Sequence, residues 1–203
     1  MAVGARNTLV GWTVAGVFAA AGAWAVTPPV SPGSTLALPD LSGRAVRPLD
    51  DDVARAVVFV FARSDCPISN RYAPEMRRLH ERFAARGVAF WLVYTERAGS
   101  GEALARHHGE FAYPFGALRD KEHALVRMAR ATVTPEAAVF VPAPEGPRLV
   151  YRGRIDDRYV ALGKARAAPA TRDLEGVLEA IVAGKPPATR TTTAIGCFIS
   201  SEP

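Results

Sequence analysis

Two thiols, Cys66 and Cys197, are the only cysteines in the 203 residues. A thiolate is the nucleophile of disulfide exchange, the group that peroxide oxidises, and a soft ligand for Cu(I). Cys66 closes the run Val57-Val58-Phe59-Val60-Phe61-Ala62-Arg63-Ser64-Asp65-Cys66-Pro67. An apolar β-type stretch passes through a short polar turn into a helical pattern, so the thiol falls where a strand hands over to a helix N-terminus. Unpaired backbone N–H groups and the helix dipole favour thiolate there by about 0.3–1 kcal/mol. Asp65 opposes this by about 0.7–3 kcal/mol at a separation of about 6 Å, and Arg63 and Arg71 act against Asp65 in turn. The residue types therefore place a nucleophile and leave its acidity to the fold.

Cys197 stands near the end of the chain. The stretch from Gly184 to Cys197 reaches roughly 40 Å when extended, about the width of a domain of this size. Cys197 can therefore reach Cys66, and three outcomes stay open: a redox-active pair, a structural staple, or two separate thiols. As a staple, a closed loop of about 130 residues would stabilise the fold by nearly 5 kcal/mol. A Cu(I) site built on the two thiolates is a further alternative. His80, His107, His108 and His123 fall on helical segments without a metal-ligand spacing, and they read as surface or interfacial. No cofactor or metal motif is expected.

The positioning elements follow from the hydrophobic pattern. Residues 36–46 read as two short strands around a turn. Residues 56–62 form a continuous apolar strand, the kind covered on both faces. A helix is expected over 70–86, with Tyr72, Met76, Leu79 and Phe83 on one face and Gly87 as its C-cap. Residues 88–94 read as a second buried strand, 101–111 as a helix, 115–118 as a short strand and 121–129 as a helix. Residues 136–141 and 149–154 suit a hairpin, and 174–183 a last amphipathic helix. Strands alternating with helices predict an α/β fold with a mixed central sheet flanked by helices.

Lys and Arg total 25 against 20 Asp and Glu, a net charge of +5, and 49% of residues are hydrophobic. These proportions exclude a disordered chain. The charges are interspersed, with no basic-aromatic reader motif, so no nucleic-acid partner is expected. The first residues differ in kind. Arg6 is the only charge before Asp40, residues 9–26 are apolar or small, and Ala23-Trp24-Ala25 suits a small-x-small cleavage site. Residues 1–25 read as a signal peptide or an uncleaved anchor, the latter associating with a membrane through residues 9–26. Either one places the remainder outside the cytoplasm, periplasmic or secreted, where disulfides persist. A linker over 26–35, a domain over 36–184 and a tail over 185–203 complete the expected organisation.

The order of elements resembles the thioredoxin fold. Cys66 follows the first long buried strand, and Ala73-Pro74 lies at the spacing where thioredoxins kink their active-site helix. Val133-Thr134-Pro135 precedes the strand over 136–141, where thioredoxin-like proteins carry a cis-proline facing the active-site cysteine. The run from residue 36 to 184 resembles the redoxin, or alkyl hydroperoxide reductase/thiol-specific antioxidant, superfamily. The stretch from Thr134 to Phe140 looks like the periplasmic thioredoxins of cytochrome maturation. The resemblance implies Cys66 as the catalytic thiol and Thr134 and Pro135 as the residues that dock a partner. It also carries departures. Ser69 stands where thioredoxins have their second cysteine, Val60 where they have a buried acid, and Arg63 where peroxiredoxins have a threonine. Arg63 and Ser69 are thereby supporting residues, and Cys197 becomes the candidate resolving thiol. The expected activity is thiol-disulfide exchange with protein thiols or disulfides. The alternatives are reduction of a small peroxide, or a non-enzymatic Cu(I)-binding or docking module with a structural Cys66–Cys197 bond.

Overall fold

A computed structural model describes residue 1 and residues 36–51, 53–188 and 191–199. The expected signal or anchor segment and the linker lie outside the described residues, apart from Met1. No helix among the described residues is long and apolar enough to cross a membrane.

The chain opens with a hairpin of β1 (Leu38–Pro39) and β2 (Ala45–Val46). Its turn is held by Asp40, whose Oδ1 accepts the N–H groups of Ser42 and Arg44 at 2.9 and 3.0 Å. The central sheet is built from β3 (Ala56–Ala62), β4 (Val88–Tyr94), β5 (Ala117–Arg119), β7 (Glu136–Val141) and β8 (Arg148–Gly153), after a short β6 (Val133–Thr134). Their order across the sheet is β5-β4-β3-β7-β8. β3, β4 and β5 run parallel, while β7 is antiparallel to both β3 and β8. The sheet is mixed, as the sequence predicts.

β3 lies at the centre and every one of its residues is buried. Its alternate side chains serve two cores, because successive residues of a strand face opposite sides. Val58 and Val60 join Met76, Leu79 and Phe83 of helix α2 (Ala73–Phe83) and Leu174, Val177 and Leu178 of helix α5 (Asp173–Val182). Val57, Phe59 and Phe61 join Leu38 of the hairpin and Leu125, Val126 and Ala129 of helix α4 (Ala124–Ala129). A continuous apolar run was needed because neither face of this strand meets water.

The helix expected over 70–86 is three pieces. Helix α1 (Pro67–Arg71) begins directly after Cys66, α2 follows, and a 3-10 turn (Ala84–Arg86) ends at Gly87 with φ 85°. Pro74 has no N–H for the helical ladder and disfavours helical backbone in the residue before it, so the ladder breaks near Tyr72. Helix α3 (Gly101–Glu110) is capped by Ser100, whose hydroxyl accepts from the Ala103 N–H. α4 starts three residues later than the pattern predicts. The Asp120 carboxylate accepts the Ala124 and Val126 N–H groups at 2.7 and 2.8 Å, and His123 takes a left-handed conformation before the first turn. β5 is likewise shifted, to 117–119.

Two short pairings lie outside the expected pattern: β9 (Tyr159–Ala161) with β10 (Lys164–Ala165), and β11 (Cys197–Phe198) against β6. Strands of two or three residues carry too few side chains to show a period. The charged segment Arg152-Gly153-Arg154-Ile155-Asp156-Asp157-Arg158 is not a solvated turn throughout. Asp156 and Asp157 are buried. Asp156 accepts from the Tyr72 hydroxyl, and Asp157 from the Ala170 and Thr171 N–H groups.

Candidate active site

The site assembles where β3, α1, β6 and β11 meet. Cys66 is the N-cap residue of α1, in extended backbone, with Pro67 opening the helix. Proline is favoured at that position because the missing N–H would have had no helical partner. The Cys66 side chain is 1% exposed. Its Sγ lies 3.2 Å from the Thr134 carbonyl oxygen and 2.6 Å from the Sγ of Cys197, with both cysteines free. The Thr134–Pro135 peptide bond is cis, and Thr134 is fully buried. The structure thus gathers Cys66, Cys197, Thr134 and Pro135, four residues spread over 132 positions of the chain.

The two sulfurs are electrostatically unlike. Burial pushes the Cys66 thiol up. The polar groups around the sulfur, Cys197 first and then Ser69 and Thr134, outweigh burial and hold the thiol below 9.0. Ser69 is buried beside the sulfur, and its hydroxyl makes no hydrogen bond of normal length among the described residues. As a thiol, Cys66 donates to the Thr134 carbonyl. Cys197 goes the other way. Burial first, then its hydrogen bond to Cys66 and the negative charge there, push it up to about 11. Of the two facing sulfurs, Cys66 is therefore the more acidic and Cys197 the less.

Arg63 stands beside the thiol and pairs with Asp65. Its guanidinium holds both carboxylate oxygens of Asp65, at 2.9 and 2.8 Å. Neither charge is among the leading causes of the Cys66 shift. Arg71 is exposed at the end of α1.

A buried polar network behind the loop was missed in the sequence. Asn70 donates from Nδ2 to the Ser64 carbonyl at 3.0 Å, so its Oδ1 faces His107 Nε2, 2.9 Å away. His107 Nε2 therefore carries the proton, and Nδ1 accepts from the Tyr94 hydroxyl at 2.7 Å. Ser64 donates its N–H and hydroxyl to Glu96 Oε1 at 3.0 and 2.7 Å. The network ties the turn before Cys66 to α1, to β4 and to α3. The expectation that the histidines are superficial fails for His107 and His123, both buried; His123 Nε2 lies 2.8 Å from the Thr95 carbonyl. The available signal was Asn70, one helical turn beyond Cys66 on the same short helix. Among the described residues, no group of three or more His, Cys, Asp or Glu side chains is arranged to hold a metal ion.

A parallel β3-β4-β5 unit, an antiparallel β7-β8 hairpin, a thiol at the start of the first helix and a cis-proline opposite it define a thioredoxin-like fold. The AhpC/TSA family model matches residues 32–147, more than half of the chain, and the chain belongs to that family. No curated protein matches it. An uncharacterized conserved protein from Geobacillus kaustophilus is similar, with 27% identity and a TM-score of 0.71 over 82% of this chain and 88% of that one. A hypothetical protein from Sinorhizobium meliloti 1021 has 22% identity and a TM-score of 0.71, covering 82% and 92% of the two chains. A thioredoxin-like protein from Aeropyrum pernix shares the fold at 14% identity, with a TM-score of 0.50 over 73% and 88%.

Proposed function

We propose that this protein is an extracytoplasmic thiol-disulfide oxidoreductase in which Cys66 attacks and Cys197 resolves. The observation that carries this reading is the approach of the two sulfurs to 2.6 Å, with the Cys66 thiol shifted down and the Cys197 thiol shifted up in pKa. The Cys66 thiolate attacks one sulfur of a partner disulfide. A Cys66–partner bond forms, and the partner's other sulfur leaves as a thiolate that takes a proton from solvent. Cys66 then carries no charge, so two of the causes that hold Cys197 high are removed. Cys197 loses its proton, attacks Cys66 Sγ, and displaces the partner's remaining thiol. The partner disulfide is reduced and the Cys66–Cys197 pair oxidised; an external dithiol returns the pair to its starting state. Thr134 and Pro135 shape the edge on which the partner lies. Residues 1–25 serve as signal peptide or membrane anchor, 26–35 as a linker, 36–184 as the catalytic domain and 185–203 as the tail that carries Cys197.

The test is intact-mass analysis with thiol alkylation across thiol/disulfide buffers, alongside a model-disulfide exchange assay. A Cys66–Cys197 bond that opens at a moderate potential is expected, together with loss of exchange in Cys66→Ser. A bond that survives below about −300 mV would make it a structural staple. Full exchange activity in Cys66→Ser would end the proposal.

Membership of the AhpC/TSA family favours a second reading on the same residues. The Cys66 thiolate attacks a peroxide oxygen, giving a sulfenic acid and an alcohol or water. Cys197 then condenses with it, releasing water and forming the disulfide. Thiol-dependent peroxide consumption that needs both cysteines is the result this reading requires.

A further inference from the structure

The docking edge beside Cys66 is already occupied, and by this chain. β11 pairs antiparallel with β6, Cys197 opposite Thr134 and Phe198 opposite Val133. The Ile199 N–H then donates to the Thr132 carbonyl at 3.0 Å. Upstream the tail is tied to β8. The Thr192 N–H donates to the Arg152 carbonyl at 3.1 Å, and its hydroxyl accepts the Arg154 N–H at 3.0 Å and meets the Tyr151 hydroxyl at 2.8 Å. Both contacts leave no room for a side chain. A Cβ at Gly196 would clash with the Thr134 carbonyl oxygen, and one at Gly153 would clash with Thr192 Oγ1. The seat is fitted to an extended segment with glycine before its cysteine, and with the tail in it Cys66 is 1% exposed.

We propose that the edge over residues 132–134 is a docking surface for an extended peptide segment carrying Gly-Cys, and that residues 191–199 occupy it in cis as a pseudo-substrate. A macromolecular partner must displace the tail before its sulfur reaches Cys66. This rests on the reading of Cys66 as the attacking thiol. The tail is both the resolving arm and the competitor, because strand pairing recognises backbone and only the close approach at Gly196 selects a side chain. A segment with a larger residue before its cysteine cannot adopt the tail's register.

The probe is the disulfide-linked dimer of the peptide Thr-Ala-Ile-Gly-Cys-Phe-Ile, with a second dimer carrying Val for Gly. The protein is the full chain with Cys197→Ser, so that the mixed disulfide on Cys66 accumulates and is read by mass. The Cys66 thiolate attacks the dimer, one peptide is retained through a new S–S bond, and the other leaves as the thiol. Adding Gly196→Val should lift the tail and speed this step about tenfold or more, since each pairing hydrogen bond is worth a severalfold change. Thr192→Val removes the hydroxyl contacts to the Arg154 N–H and the Tyr151 hydroxyl, loosening the tail's upstream anchor without touching β6, and should also accelerate the reaction. The glycine dimer should outpace the valine dimer. No acceleration in either variant overturns the self-occupied edge, and equal rates for the two dimers overturn the glycine rule. Hydrogen exchange on the unmodified protein supplies a readout that needs no reaction. The peptide with Ser for Cys should speed exchange at the Thr192 and Ile199 N–H groups, and unchanged exchange overturns the proposal. Because Cys197 is absent from the kinetic arm, failure of the redox pair in the unmodified protein is seen separately.

Discussion

Oxidation of the Cys66–Cys197 pair should change the stability of the whole domain by an amount the topology sets. The cysteines are 131 residues apart. In the chain-entropy relation, closing a loop of that length removes about 17 cal/mol/K from the unfolded ensemble, or about 5 kcal/mol at 25 °C. β11 is already seated against β6 with both thiols free, so closing the bond needs no new pairing of segments. With a urea m-value of about 2.5 kcal/mol/M, the midpoint should move up by about 2 M on oxidation. The same free energy appears as a potential: about 30 mV per 1.4 kcal/mol makes the folded pair about 100 mV more reducing than the urea-unfolded pair. The assay is urea unfolding of the oxidised protein, of the protein in dithiothreitol, and of the Cys66→Ser/Cys197→Ser double variant. The last two should agree. A shift below about 1 kcal/mol, or a double variant that unfolds with the oxidised protein, refutes the argument.

Asn70→Ala removes the acceptor of His107 Nε2–H and the donor to the Ser64 carbonyl. One partner is left buried and unpaired and the other part-buried, so a loss of about 2–4 kcal/mol is expected in urea unfolding. A cost under about 1 kcal/mol, or strict additivity with His107→Leu, would show that the network does not act as a unit. Thiolate absorbance should rise in two steps, the first below 9.0 and the second near 11, and Cys197→Ala should abolish the second. A single step accounting for both thiols would contradict the assigned roles. Burial holds His107 and His108 below 6.5. The unfolded chain therefore takes up protons first as the pH falls. The stability that these groups contribute is complete above about 6.5 and is lost as pH falls through their lower folded values. Thermal midpoints should decline over that range, and His107→Leu should flatten the decline; an unchanged slope would remove His107 as its source.

The long buried strands were legible because composition and length both speak. β3 and β7 coincide with their expected bounds, and the break near Pro74 follows from proline's missing N–H. The cis-proline site was legible only through resemblance, since nothing in Val133-Thr134-Pro135 alone distinguishes cis from trans. The start of α4 and the burial of Asp156 and Asp157 were not legible. Each depends on carboxylates accepting N–H groups that a periodic pattern does not register.

The amino-acid order alone determined a thiol at a strand-to-helix junction, a sheet whose central strand must be covered on both faces, and a chain with only one possible intramolecular thiol partner for Cys66. Local physics decides these, because helix and strand periods and proline's geometry act over a few residues. The tertiary structure decided which sulfur is acidic, that Arg63 is spent on Asp65, and that Cys197 arrives at Cys66 on a strand paired with β6. Those outcomes depend on burial and on hydrogen bonds between segments far apart in sequence, where free energies of a few kcal/mol are set by distance and angle rather than by residue type.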